Sequence, residues 1–183
     1  MKQSLFIILL VINLQQSLSQ SFKTEDGYIK FISKAPFNEF DGESNYLHGL
    51  VDLDKNLLDF YVDLNTLKTG ISLRDSHMRD SYLETNKYPY AEFTGELENI
   101  GEIDRNDLKT GLKVTAKGTF KIHGLSKKRT INGLLTLDEK GRLTLETNFK
   151  VALQDHEIEK PSLLGYELAD VQDVEIKAVL NEQ

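Results

Sequence analysis

The chain has 183 residues, no cysteine, no tryptophan and a formal net charge of −7 at neutral pH. Lacking cysteine, it forms no disulfide and has no thiol for catalysis or lipid attachment. Its acidity argues against nucleic acid or an anionic membrane as a partner held by bulk electrostatics. The length suits one globular domain burying roughly 70% of its unfolded surface, and no low-complexity linker or fixed-period repeat divides it.

Met1 and Lys2 precede an apolar run over residues 5–14, and Ser17 and Ser19 supply small residues where a signal peptidase cuts. Residues 1–19 therefore read as a secretory signal cleaved after Ser19, leaving 20–183 as a single domain. The alternative, a membrane anchor, falls short of the roughly 20 apolar residues a spanning helix needs.

Beyond it the chain alternates apolar and polar residues with period two, the mark of half-buried strands. Residues 28–35 give strand one, with Ile29 and Phe31 on one side and Lys30 and Lys34 on the other. Residues 47–53 and 58–64 form a hairpin around Asp54, Lys55 and Asn56, the second strand turning Phe60 and Val62 inward. The alternation then breaks at residues 73–83, which read as a helix. Ser72 followed by Asp75 is a capping-box pattern, Leu73, Met78 and Tyr82 make a narrow apolar stripe, and Pro89 forces Tyr88 out of helical geometry.

A strand at 91–97 carries Phe93, and residues 101–110 read as a polar loop. The clearest strand is 112–122, where Val114, Ala116, Gly118 and Phe120 alternate with Lys113, Thr115, Lys117 and Thr119. A turn at His123 and Gly124 leads to a strand at 131–137 with Leu135, and a loop at 138–141 leads to another at 143–153 with Phe149. Residues 154–172 interrupt the pattern before a last strand at 174–180. The fold class is therefore all-β: an eight-stranded antiparallel lipocalin-like β-barrel with one α-helix in the connection between strands 3 and 4, a β-sandwich being the alternative. Gly49, Gly95, Gly118 and Gly133 fall on the inner face, where they either leave an unfilled cavity or mark barrel corners.

Two ordered blocks carry a family resemblance. Arg74-Asp75-Ser76-His77-Met78-Arg79, followed by Tyr82-Leu83, Lys87-Tyr88-Pro89 and Phe93, resembles the central motif of the YceI-like family. Gly118-Thr119-Phe120-Lys121-Ile122-His123-Gly124-Leu125-Ser126-Lys127 is similar to that family's strand and turn downstream. The resemblance spans nearly the whole mature chain, and residues 158–170 depart from the family pattern. It implies export to the periplasm and an internal pocket for a long-chain isoprenoid or other amphiphilic lipid, such as a polyisoprenoid or isoprenoid quinone, with no cofactor and with room for a homodimer. The expected lining is Phe31, Phe60, Val62, Leu73, Met78, Phe93, Val114, Gly118, Phe120, Leu135 and Phe149, with Arg74, His77 and Arg79 at the rim and residues 158–168 bordering the entrance.

His48, His77, His123 and His156 lack the close spacing of metal ligands. No G-x-S-x-G, thiol nucleophile or glycine-rich phosphate loop is present. Three functional classes remain: a lipid-binding protein for sequestration or transport, an enzyme using Arg74, Asp75, His77 and Arg79 at the pocket mouth, and an interaction domain with a fully packed barrel.

Overall fold

In the computed structural model, residues 20–36, 38–98, 103–159 and 168–183 are described. The expected signal segment, residues 1–19, lies outside them. The eight strands are β1 (Ser21–Ala35), β2 (Asn38–Asp52), β3 (Leu57–Asp63), β4 (Tyr90–Leu97), β5 (Leu112–Ile122), β6 (Leu125–Leu137), β7 (Leu143–Ala152) and β8 (Val171–Glu182). Each pairs antiparallel with the next. β8 returns to β1 through Phe31↔Val174 and Ser33↔Gln172, so the sheet closes in the order β1 to β8 and keeps no free edge.

The apolar faces read from the alternation are the inner faces. Phe60, Val62, Val114, Phe120 and Leu135 are buried, while Ile29, Phe31, Phe93 and Phe149 are half-buried against them. A closed barrel of this size needs bends, and β1 supplies them with register shifts between Thr24 and Ile29 that re-aim its first half.

The two ends differ. At one, a short helix, α2 (Arg105–Thr110), brings the fully buried Leu108 into the same core cluster as Leu135, Leu143 and Leu180. Asp104 caps it by accepting from the Asn106 N–H at 2.8 Å, and Arg105 forks onto Glu182 at 2.7 and 3.0 Å, tying α2 to the end of β8. The expected polar loop there is thus partly helical.

The other end carries the long β3–β4 and β7–β8 connections and the tight β5–β6 turn. In that turn His123 (φ 52°) and Gly124 (φ 74°) are both left-handed, as a two-residue hairpin matched to the sheet's twist requires. The β3–β4 connection is closed at its base, where the Leu64 N–H donates to the Pro89 carbonyl at 2.8 Å. Paired bonds between Glu43 and Lys68, both 2.9 Å, staple it to β2.

The helix it carries differs from expectation in two respects. α1 spans Ser72–His77 and continues as a π-helical turn, Met78–Tyr82, in which the Leu83 N–H reaches the Met78 carbonyl. Ile71, not Ser72, is the N-cap, and no side chain caps it. Asp75 instead turns back past the helix start to accept from the Thr69 N–H (2.8 Å) and hydroxyl (2.7 Å).

Of the inward glycines, Gly133 borders an inner cavity, whereas Gly49, Gly95 and Gly118 mark neither corners nor an open interior. A Cβ on Gly49 would lie 2.2 Å from the ring of Phe60, its cross-strand partner, and one on Gly42 would lie 2.3 Å from the ring of Phe31, its partner. Gly95 and Gly118 face each other across β4 and β5, with the Phe93 ring laid over both. These glycines let phenylalanine rings lie flat against the sheet.

Candidate functional site: an apolar chamber beneath the helix

The interior is packed more fully toward α2 than beneath α1. A chamber of about 250 Å³ lies under α1 and the π-turn. A smaller one of about 80 Å³ continues toward the α2 end. Ile29, Val62, Ala91, Phe120 and Phe149 border both, so the boundary is made of side chains alone. Phe120 and Phe149 meet edge to face there, 5.8 Å between centroids.

The expected lining residues divide between these chambers. Phe31, Leu73 and Met78 line the outer one, Phe60, Phe93, Val114 and Leu135 the inner one, and Val62, Phe120 and Phe149 both. Gly118 lines neither. Its inward side is occupied by Phe93, with Cζ 2.7 Å from where a Cβ would stand, and the residue borders only a shallow groove on the barrel's outer surface. Substituting Trp there would therefore not fill the cavity.

At the mouth, Arg74 and His77 border the outer chamber and Arg79 does not. The Arg74 guanidinium stands 4.4 Å over the Phe40 ring, which meets Phe31 edge to face at 6.1 Å, so one stacked line runs from a cation at the rim into the barrel. His77 is exposed, and the helix is anchored through Asp75 rather than His77. Arg79 is half-buried, and among the described residues no carboxylate comes within ion-pair distance of it. The buried charge is Asp75. Burial works to raise its pKa, but the two Thr69 hydrogen bonds, with the Lys68 and Arg79 charges, outweigh it and hold the carboxyl below the usual carboxylate range. With Asp75 turned to Thr69, Arg74 stacked on Phe40 and His77 in solvent, the four side chains considered for catalysis form no hydrogen-bonded constellation.

Opposite the helix, Leu153, Ile158 and Leu168 line the chamber, and residues 160–167 between them lie outside the described residues. A buried histidine holds this wall. His156 donates from Nδ1 to the Leu125 carbonyl at 3.1 Å and meets Phe120 edge to face at 5.4 Å. Burial pushes its pKa down, helped by the Arg129 and Lys127 charges and opposed by the Leu125 bond and Asp155. The His156 carbonyl accepts from His123 Nδ1 at 2.9 Å, and His123 Nε2 reaches Glu84 at 2.8 Å, so the turn joins both long connections.

Phe40 and Gln172 also border the chamber and escape the sequence reading, because residues 38–45 and 171–173 lack the apolar alternation that marks a strand. Among the described residues no group of three or more His, Asp or Glu could hold a metal ion, and no helix is long and apolar enough to cross a membrane.

A closed eight-stranded antiparallel barrel with an apolar chamber beneath a helix-bearing mouth defines a small cavity-bearing barrel of lipocalin-like architecture. The chain belongs to the YceI-like domain family, whose model matches residues 15–180. Among solved structures it is similar to a polyisoprenoid binding domain from Saccharophagus degradans, at 16% identity over 90% of this chain and 99% of that one, with a TM-score of 0.73. It is also similar to BcnA from Burkholderia cenocepacia (10% identity, 85% and 96% covered, TM-score 0.64) and to the YCEI protein of Campylobacter jejuni (20%, 82% and 87%, 0.60). At these identities the likeness establishes the fold. No curated protein matches the chain in sequence.

Proposed function

We propose that the protein is an exported carrier that holds one amphiphilic lipid, of the isoprenoid or a similar long-chain class, with its chain in the barrel and its head group at the mouth. On this reading residues 1–19 direct export to the periplasm or beyond and are removed after Ser19. The observation that carries the proposal is the outer chamber: about 250 Å³, walled almost wholly by apolar side chains and opening beneath α1. An apolar cavity of roughly 150 Å³ takes one benzene, so this chamber accommodates on the order of ten carbons. At about 0.8 kcal/mol per buried methylene that is about 8 kcal/mol before chain ordering is subtracted, enough for binding without charged contacts. The Phe120 and Phe149 rings at the boundary hold the chain to the outer chamber, and any further length stays at the mouth. The description of the Saccharophagus relative as a polyisoprenoid binding domain agrees with this ligand class. Arg74 and His77 would meet the head group, and that contribution should weaken with salt.

The test is to place a ring at the chamber boundary. Ala91→Phe adds a side chain where both chambers meet, beside Val62 on β3. With an unchanged circular dichroism spectrum, it should lose binding of a fluorescent long-chain probe; full binding by the folded variant would place the ligand elsewhere.

A further inference from the structure

The net acidity of the chain hides a local reversal. Residues 108–137, which form the end of α2, all of β5 and all of β6, contain no Asp or Glu and seven Lys or Arg. The cations are spaced among threonines and apolar residues, so they do not read as a charge block in the sequence. Folding collects them on one side of the barrel and brings four of them, Lys121, Lys127, Lys128 and Arg129, to the β5–β6 turn at the mouth.

Two of the four are engaged, Lys121 with Glu92 at 3.0 Å and Arg129 with Asp155 at 3.1 Å. Lys127 and Lys128 are exposed and meet no carboxylate among the described residues. A third cation joins them from the β3–β4 connection. Lys87 stands 4.7 Å over the Tyr88 ring, and that ring meets His123 edge to face at 4.9 Å. Glu84, the nearest acid on that connection, is held by His123.

The same mouth exposes aliphatic surface. Ile71 and Leu73 are 50% and 65% exposed, yet both also line the outer chamber, so they form a lip continuous with its apolar wall. Exposed aliphatics and lysines without a carboxylate partner at the same end of the barrel match the chemistry of a bilayer interface, where chains meet the acyl boundary and cations meet anionic head groups.

We propose that the mouth docks on anionic lipid bilayers, with Ile71 and Leu73 at the acyl boundary and Lys87, Lys127 and Lys128 on the head groups. Exposed Glu39, Asp80, Glu157 and Glu159 lie elsewhere around the mouth, so the docked barrel should lean toward its β5–β6 side. The purpose of docking, exchange of a lipid between bilayer and barrel, rests on the carrier reading; docking itself does not, since a bilayer can be sensed without a ligand in the cavity.

The experiment is co-sedimentation of the purified mature protein with phosphatidylcholine vesicles, with and without phosphatidylglycerol, at low and high salt. Binding is expected only with phosphatidylglycerol and should fall with salt. Each surface cation contributes about five-fold to partitioning, so Lys87→Gln/Lys127→Gln/Lys128→Gln should weaken it about a hundred-fold. That variant should still bind a dispersed fluorescent lipid at equilibrium; if neither protein binds the lipid but both sediment as expected, the carrier reading fails and docking stands. Ile71→Ser/Leu73→Ser should also reduce sedimentation. Docking is overturned by equal binding to neutral and anionic vesicles, by no binding to either, by wild-type sedimentation of the triple variant, or by a dimer formed through this face that leaves no lip exposed.

Discussion

The boundary between the chambers makes chain length the most exacting quantity to test. Phe149 borders both and meets Phe120 across the gap, so Phe149→Ala removes a benzene-sized wall. A fully buried Phe→Ala change costs about 3–5 kcal/mol; Phe149 is half-buried beside existing empty space, so the expected loss of stability is about 2 kcal/mol. The freed volume admits roughly six more carbons by the benzene scale. At about 0.8 kcal/mol each they contribute about 5 kcal/mol gross, and about half survives the ordering of the chain. Ligands long enough to use the space should therefore bind on the order of 50-fold tighter to the variant. Shorter ligands should bind much as before. The assay is displacement of a fluorescent probe by primary alcohols of increasing length, in which affinity gains for the wild type should stop near ten carbons and for the variant several carbons later. The same break point in both proteins would refute the idea that the phenylalanine boundary limits the chain.

Three further outcomes follow from the mouth and its supports. Asp75→Ala leaves the Thr69 N–H and hydroxyl unmet and should cost about 2–3 kcal/mol in urea unfolding. Because the folded pKa of Asp75 is depressed, this contribution is complete above the unfolded value near 3.8 and is lost as pH falls through the folded value, so the two stability curves should converge in acid. His156 is also depressed, and here the buried neutral ring is the favoured state: wild-type stability should decline as pH drops below about 6.5 and more steeply than that of His156→Phe, whereas parallel curves would mean the ring is protonated without penalty. Arg79→Ala, with no ion pair to lose among the described residues, should change stability by less than about 0.5 kcal/mol, and a loss above about 1 kcal/mol would reveal a buried partner.

The barrel was legible because its strands obey a period-two rule wherever the inward residues are Leu, Val, Ile or Phe. It was illegible where they are small or polar. Thr24 and Ser44 point inward and are buried, yet the alternation leaves their strand halves, residues 21–27 and 38–45, unassigned. Thr24 is satisfied locally by Asp26 at 2.9 Å, whereas Ser44 meets Thr66 at 2.6 Å, a partner that only the folded chain supplies. α2 escaped because a six-residue helix with one apolar side chain has no period to detect, although Asp104 and Gly111 bracket it as N-cap and left-handed stop. The capping box failed for a different reason. Its residues were present, but Thr69 offers Asp75 two donors on a strap fixed by β2, and a fixed pair of donors outweighs an end that water can solvate. The glycines show what alternation alone omits: it puts Gly49 and Gly118 on the inner face, while only the strand register reveals that Phe60 and Phe93 already use the room.

Native mass spectrometry of the protein, purified without detergent from the cells that produce it, bears most directly on the central claim that the chamber holds one apolar chain. The account predicts a single adduct per chain with the mass of a long-chain amphiphile, released on unfolding and absent from Ala91→Phe. Protein carrying no adduct, or an adduct that persists in the folded Ala91→Phe variant, would contradict it.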